Sequence, residues 1–363
     1  MRVHLFADSL QENWPSMDRY ARSLFRALKE VAPEIDFRLL VPPNPPLGLA
    51  GRLFVLWRIL AYPLWARRHR AAEVYHILDH SYGHLLLALD GGRAVVTVHD
   101  VAPFFFPGRR WGLSRLAWEV AWRGTQRAAH WIAISDFTHS ELRARAGQNP
   151  PPISRIYYGV EAHFRPLSKH EQGGWRAKWG ARDSRIVLHV GHCQPRKNLE
   201  RLLTALALLT RGGMDFQFFQ VGGIFTAPQQ GLIERLGLRE RVYQINRLSD
   251  DTQLVGLYNI ADVLVLPSLY EGFGFPALEA MACGTPVVVS NVASLPEVVE
   301  DAGLLIDPHD PQAIAEAITR VLSDPALAEE LRQRGLERAK MFTWEKTARE
   351  TLKVYQELLE GIR

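Results

Sequence analysis

Cysteine is scarce in this chain: Cys193 and Cys283 are the two in 363 residues. They allow at most one disulfide and have no metal-ligand spacing, so they read as small buried residues of a reducing compartment. No Asp-x-Asp triplet occurs either, and no bound metal is expected. No charged-then-apolar leader precedes the first strand, Val3 to Ala7, so no signal peptide is expected and the protein is placed in the cytoplasm. The apolar stretch Leu47 to Trp65 is long enough to raise a membrane span, but it contains Arg52 and Arg58. Each would cost several kcal/mol inside a bilayer, and a span is rejected.

What is present describes an ordinary globular protein: 47% hydrophobic and 23% charged residues, with length enough for two domains that each bury a core. Charge is unevenly shared. Residues 1–165 hold 21 Lys+Arg against 14 Asp+Glu, a net of +7, and the remainder 22 against 25, a net of −3. The basic half should face an anionic surface or acceptor.

Strands and helices alternate from the start. Val3 to Ala7 and Phe37 to Val41 read as strands around a helix, Ser16 to Val31, with apolar positions at Tyr20, Leu24 and Leu28. This is a doubly wound α/β pattern. Arg52, Arg58, Arg67, Arg68 and Arg70 alternate with Phe54, Trp57, Leu60, Tyr62 and Trp65, and Arg109 to Arg123 repeats the chemistry. Such a pattern fits helices lying on an anionic membrane, or two ordinary amphipathic helices with their aromatics in the core; pattern alone does not say which face is exposed. Ala94 to Val98 is a buried strand ending in His99 and Asp100. A histidine at a strand's carboxyl end can donate to a hydroxyl or a phosphate oxygen, although a lone one is more often a satisfied core residue. Ser135 is the expected N-cap after the strand at Trp131.

Further on, Ile186 to Val190 leads through Gly191 and His192 to Arg196, Lys197 and Asn198, with a helix from Leu199 to Leu209. Two cations at a strand end and helix start make an anion site. The densest signal is Pro267 to Pro286, between apolar runs Asp262 to Leu266 and Val287 to Val289: a β-loop-α-β unit. Gly272 and Gly274 let the backbone approach a ligand, Pro276 suits a first helical turn, and Gly284 ends the helix. Glu271 in the loop and Glu279 in the helix stand eight residues apart at the carboxyl edge of a sheet, where open α/β sheets bind ligands. Their neighbours are apolar or glycine, so each carboxylate is paired, bound to hydroxyls, or costly to bury.

Glu271-Gly-Phe-Gly-Phe-Pro-Ala-Leu-Glu279-Ala-Met-Ala-Cys-Gly-Thr-Pro resembles the E-x7-E motif of the retaining glycosyltransferases of family 4. The resemblance implies the α/β GT-B fold, two Rossmann-like doubly wound domains facing a central cleft. Tyr157 to Pro166 resembles the crossing between them. It follows that residues 1–165 form an acceptor-binding domain and 166–345 a nucleotide-sugar-binding domain, with a C-terminal helix at about 346–363 packing back on the first.

By the same resemblance His99 contacts the donor sugar, Arg196 and Lys197 hold the diphosphate after Gly191, and the loop at Arg247 and Leu248 meets the base. Glu271 and the amides of Gly272, Phe273, Gly274 and Phe275 bind the sugar, and Glu279 the ribose hydroxyls. Two departures stand out. The loop Asn13 to Tyr20 lacks the usual glycine pair, leaving Ser16 and Met17 as contacts, and His192 replaces an arginine. The implied activity is transfer of a hexosyl unit, mannosyl or glucosyl, with retention, from a nucleotide diphosphate sugar to an acceptor hydroxyl, in cell-surface polysaccharide, glycolipid or related glycan synthesis. No cofactor and no metal take part: Arg196, Lys197 and helix N-termini act in the metal's place, and the leaving phosphate accepts the acceptor's proton. The implied partners are the donor, a glycan or lipid-linked acceptor and an anionic membrane at its inner face, with no nucleic acid. A nucleotide-sugar epimerase or phosphorylase on the same fold, and a catalytically silent nucleotide-sugar-binding protein, remain open.

Overall fold

Runs such as Val-Leu-Val-Leu and Val-Val-Val-Ser are buried along their whole length, as strands covered by helices on both faces must be. The computed structural model of the chain describes all residues except 13, 47–50, 103–112, 148, 182–183 and 362–363, and omits the side chains of Arg52, Leu113 and Ser114. It divides into two units, Met1–Gly159 with Phe342–Arg363, and Val160–Met341.

In the first unit six strands form one sheet: β1 (Arg2–Phe6), β2 (Asp36–Leu40), β3 (Val74–Ile77), β4 (Ala94–Val98), β5 (His130–Ala133) and β6 (Ile153–Arg155). Their order is β2-β1-β3-β4-β5-β6, with every pairing parallel. The strand order reverses between β1 and β3, the kind of point at which open α/β sheets bind ligands. The helix Pro15–Val31 buries Tyr20, Leu24 and Leu28, the stripe expected of a 3.6-residue period. Against it packs the helix Trp344–Glu360, capped by Thr343. Its Tyr355 hydroxyl meets His76 Nδ1 at 2.6 Å under the sheet.

The unit ends at Gly159, inside the expected crossing Tyr157 to Pro166 and six residues before the expected boundary at 165. A Cβ on Gly159 would lie 2.2 Å from the Trp344 amide nitrogen, and Thr347 Oγ1 donates to the Tyr157 carbonyl at 2.7 Å, so this stretch is bound into the first unit. From Phe164 onward the chain belongs to the second: its ring meets Tyr258, and the Leu167 amide donates to Asn259.

The second unit holds β7 (Arg185–Val190), β8 (Phe216–Val221), β9 (Val242–Ile245), β10 (Val263–Leu266), β11 (Val287–Ser290) and β12 (Leu304–Ile306). The order is β12-β11-β10-β7-β8-β9, again all parallel. β8 and β9 run out on one side of β7 and β10 to β12 on the other, so the switch point lies between β7 and β10, paired through Val187 and Val263.

Of the two readings of the helix Gly51–Ala66, the burial of its aromatics fits the one that turns them toward the core. Tyr62 is fully buried, Phe54, Trp57 and Trp65 are half-buried, and Arg58 turns inward. In the repeat of that chemistry, residues 109–112 lie outside the described residues, and Trp118 stacks on Trp122. Among the described residues no helix is long and apolar enough to cross a membrane.

Candidate active site

β7 runs out at Gly191, where a side chain would collide with Lys197: a Cβ would stand 3.2 Å from its Cε and 3.4 Å from its Nζ. A single 3-10 turn, Pro195–Lys197, then leads through Asn198 at φ 59° into the helix Leu199–Arg211. That left-handed residue is asparagine, the non-glycine type that tolerates it best. Its side-chain amide donates to the carbonyls of Pro267, 2.9 Å, and Pro308, 2.7 Å. One buried amide thus fixes the cationic turn to the loops after β10 and β12, and the Leu269 amide adds a bond to the Arg196 carbonyl.

From β10 the chain delivers Glu271 to the same place. Lys197 Nζ donates to its Oε1 at 2.5 Å, Ser268 Oγ to Oε1 at 2.7 Å, and Arg196 Nη1 stands 3.3 Å from Oε2. Burial opposes the charge on Glu271, but Lys197 first and then Arg196, with the bonds from Lys197 and Ser268, hold its carboxyl at about 2. It is ionised throughout the physiological range. The loop beyond it is shaped by Ser294, whose hydroxyl donates to the carbonyls of Glu271 and Phe273, and by Gly274 at φ 110°, where a Cβ would strike Leu295 at 2.7 Å. Phe273 is buried and meets Phe275 edge to face. Glu279, in the helix Phe275–Ala282, is 3% exposed and accepts from the Tyr258 hydroxyl at 2.8 Å.

Sequence reasoning did not find Asn198, Ser268, Ser294 or Tyr258, each of which holds one of the predicted groups. Nor did it find His189 on β7. Its Nδ1 donates to the Val265 carbonyl at 2.9 Å, while Nε2 is buried beside Gly191 and Lys197 with no hydrogen-bond partner. Burial, aided by Lys197, lowers it to about 4, so this imidazole is neutral and offers a lone pair.

Other candidates stand apart. Arg247 and Leu248 follow β9 at the sheet's edge, two strands from β7. His192 is lowered by burial and then by Lys197 and Arg196, which keeps it from adding positive charge. In the first unit His99 is buried at the end of β4. Its Nε2 donates to the Leu78 carbonyl at 2.6 Å and its Nδ1 takes the Tyr158 hydroxyl, so donation to a sugar requires exchange of the first bond. Ser16 and Met17 lie in the first turn of the helix Pro15–Val31, and Asn13 lies outside the described residues. Beside that turn a cavity of about 210 Å³ is lined by Asp8, Ser9, Leu10, Trp14 and Asp18. Burial, then Asp79 and Glu12, push the Asp8 carboxyl well above the usual range.

Chemically, the second sheet's edge offers two cations at a helix start for a diphosphate, an ionised carboxylate beside them for hydroxyls, and a second buried carboxylate one helix turn further in. Among the described residues no three His, Cys, Asp or Glu side chains gather as metal ligands.

Comparison with known proteins identifies the same two halves. Residues 3–164 match the family model Glycosyltransferase Family 4, and residues 172–338 the model Glycosyl transferases group 1. The chain is 35% identical to the O-antigen chain mannosyltransferase B of Escherichia coli over 299 residues, 80% of this chain and 76% of that protein. Among solved structures, sucrose-phosphate synthase of Thermosynechococcus elongatus superposes with a TM-score of 0.78 at 25% identity, covering 99% of this chain and all of that one. The Anabaena protein HepE, solved with UDP-glucose, gives 0.74 at 20% identity, covering 98% and 100%. With the E-x7-E carboxylates and the cationic turn in place at the switch point of a GT-B sheet, the chain belongs to the family 4 glycosyltransferases.

Proposed function

We propose that this glycosyltransferase moves a hexosyl unit, mannosyl before glucosyl, from a nucleotide diphosphate sugar to an acceptor hydroxyl with retention and without a metal. The observation that carries the reading is the convergence of Arg196 and Lys197 on Glu271 between β7 and β10. The two cations at the start of the helix Leu199–Arg211 stabilise the charge that grows on the leaving diphosphate. When they turn to the phosphates, Glu271 is left ionised for the sugar hydroxyls. Glu279 takes the ribose hydroxyls, and the amides from Gly272 to Phe275 line the sugar. The leaving phosphate oxygen receives the acceptor's proton on the face it departs from.

A mannosyl donor is supported by the name of the Escherichia coli relative, and a nucleotide sugar by the ligand of HepE. In the first unit His99 reaches the donor sugar and the cavity beside Asp8 and Trp14 takes the acceptor, a glycan or lipid-linked saccharide presented at the cytoplasmic face of a membrane. Thermal-shift screening of GDP-, UDP- and ADP-sugars, followed by NMR of the product anomer, tests the reading. A stabilising sugar nucleotide and an axial product from an axial donor are expected; inversion, or no stabilisation by any nucleotide sugar, overturns it.

A further inference from the structure

The helix Gly51–Ala66 carries an unexplained outer face. Leu53, Leu56, Leu60 and Leu64 fall at spacings of three, four and four, a stripe about 16 Å long on one side of the helix, and are 58%, 37%, 65% and 61% exposed. The opposite face is anchored. Tyr62 and Ala66 are fully buried, and Arg58 reaches Glu12 at 2.8 Å and Ser81 Oγ at 3.1 Å while lying over the Tyr82 ring. The helix is therefore held in place from beneath, with its leucines turned outward rather than its aromatics. Leu116, on the neighbouring helix Leu113–Thr125, is 51% exposed as well.

Charge decides what covers this face. Between Asp36 and Glu73 the chain has no acidic residue and six arginines, and between Asp100 and Glu119 none against three. Arg67 and Arg68 are exposed directly after the stripe. A second copy would bring arginines against arginines, and four leucines fall well short of the roughly 20–30 residues a side of a standard protein interface. A bilayer with anionic headgroups satisfies both demands: leucines enter the acyl boundary and arginines meet phosphates.

We propose that the outer face of the helix Gly51–Ala66 docks the chain on an anionic membrane surface, through Leu53, Leu56, Leu60 and Leu64 with Arg67 and Arg68 at its rim. This deepens the reading of a membrane-presented acceptor and rests on it only for its purpose, since lipid binding is measured without turnover. The test is co-sedimentation of the full chain with phosphatidylcholine vesicles, alone or with about 30 mol% phosphatidylglycerol. The wild type should bind the anionic vesicles and release as salt rises. Leu60→Ser/Leu64→Ser should lower partitioning about tenfold or more, and Arg67→Gln/Arg68→Gln should abolish the preference for anionic lipid. Both should leave free nucleotide affinity unchanged.

Absence of vesicle binding, binding indifferent to the leucine substitutions, or a dimer that those substitutions turn into a monomer would each overturn the proposal. Vesicle binding without any bound nucleotide would leave it standing and overturn the transferase reading instead.

Discussion

Lys197 Nζ lies 2.5 Å from Glu271 Oε1, and both side chains are less than a tenth exposed. The two residues come from different strand ends, after β7 and after β10, and Arg196 shares the same carboxylate at 3.3 Å. The groups proposed to hold diphosphate and sugar are thus paired with each other. Neither charge is left desolvated and alone, a state that would cost several kcal/mol.

Removing one member should therefore be costly. Glu271→Gln strands the buried Lys197 ammonium and should destabilise the protein by about 3–5 kcal/mol. Glu279→Gln still accepts from Tyr258 and should cost about 1 kcal/mol. Urea unfolding of the second unit's transition measures both. Lys197→Met combined with Glu271→Gln should recover much of the loss, and a double variant as unstable as the sum of the singles would show that the pair is not coupled.

The same pair sets a pH dependence. Glu271 is held at about 2 when folded against 4.5 ordinarily. A depressed carboxyl contributes stability that is complete above the ordinary value and disappears as pH falls through the folded one. The stability gap between wild type and Glu271→Gln should stay constant above about pH 5 and close between about 4.5 and 2. A gap that persists unchanged at pH 2.5 would contradict the assignment.

The two glutamates should also separate functionally. Glu279→Gln loses a charge facing the ribose and should weaken free nucleotide by roughly ten- to hundredfold. Glu271→Gln frees Lys197 and Arg196 from a competing carboxylate, so it should not weaken free nucleotide but should lower turnover, since the partner proposed for Glu271 is the sugar whose charge changes during transfer. Calorimetric titration of the nucleoside diphosphate beside donor turnover reads both; the opposite pattern would mean that the roles are exchanged.

Turnover should survive excess EDTA if, as proposed, Arg196 and Lys197 supply the positive charge at the diphosphate. Loss of activity on chelation, restored by magnesium or manganese, would refute that.

Much of this was legible in sequence because it is contiguous there. The loop from Glu271 to the helix bearing Glu279 reads as one unit, and the alternation of apolar runs and amphipathic helices marked β1, β2, β4, β5, β7, β10 and β11 with ends within one residue, while β3, β6, β8, β9 and β12 were not read. What sequence could not provide were partners brought by the sheet. Lys197 and Glu271 are 74 residues apart and meet only because β7 pairs with β10. Asn198 looked like an ordinary residue after two cations, although asparagine at a left-handed position is a readable signal. Periodicity found the helix Gly51–Ala66 but left open which face is exposed, since arginines and aromatics interleave along it. Arg58 points inward because Glu12, far earlier in the chain, waits beneath it.

Gly159 is flush against the backbone of Thr343 and Trp344, so the chain leaves the first unit and re-enters it at one spot. Residues 160–341 are in this sense a cassette spliced into a host whose two segments meet at the splice. Recombination that exchanges such a cassette between related chains has one paired seam to respect, so the second unit can be replaced as a whole module rather than residue by residue.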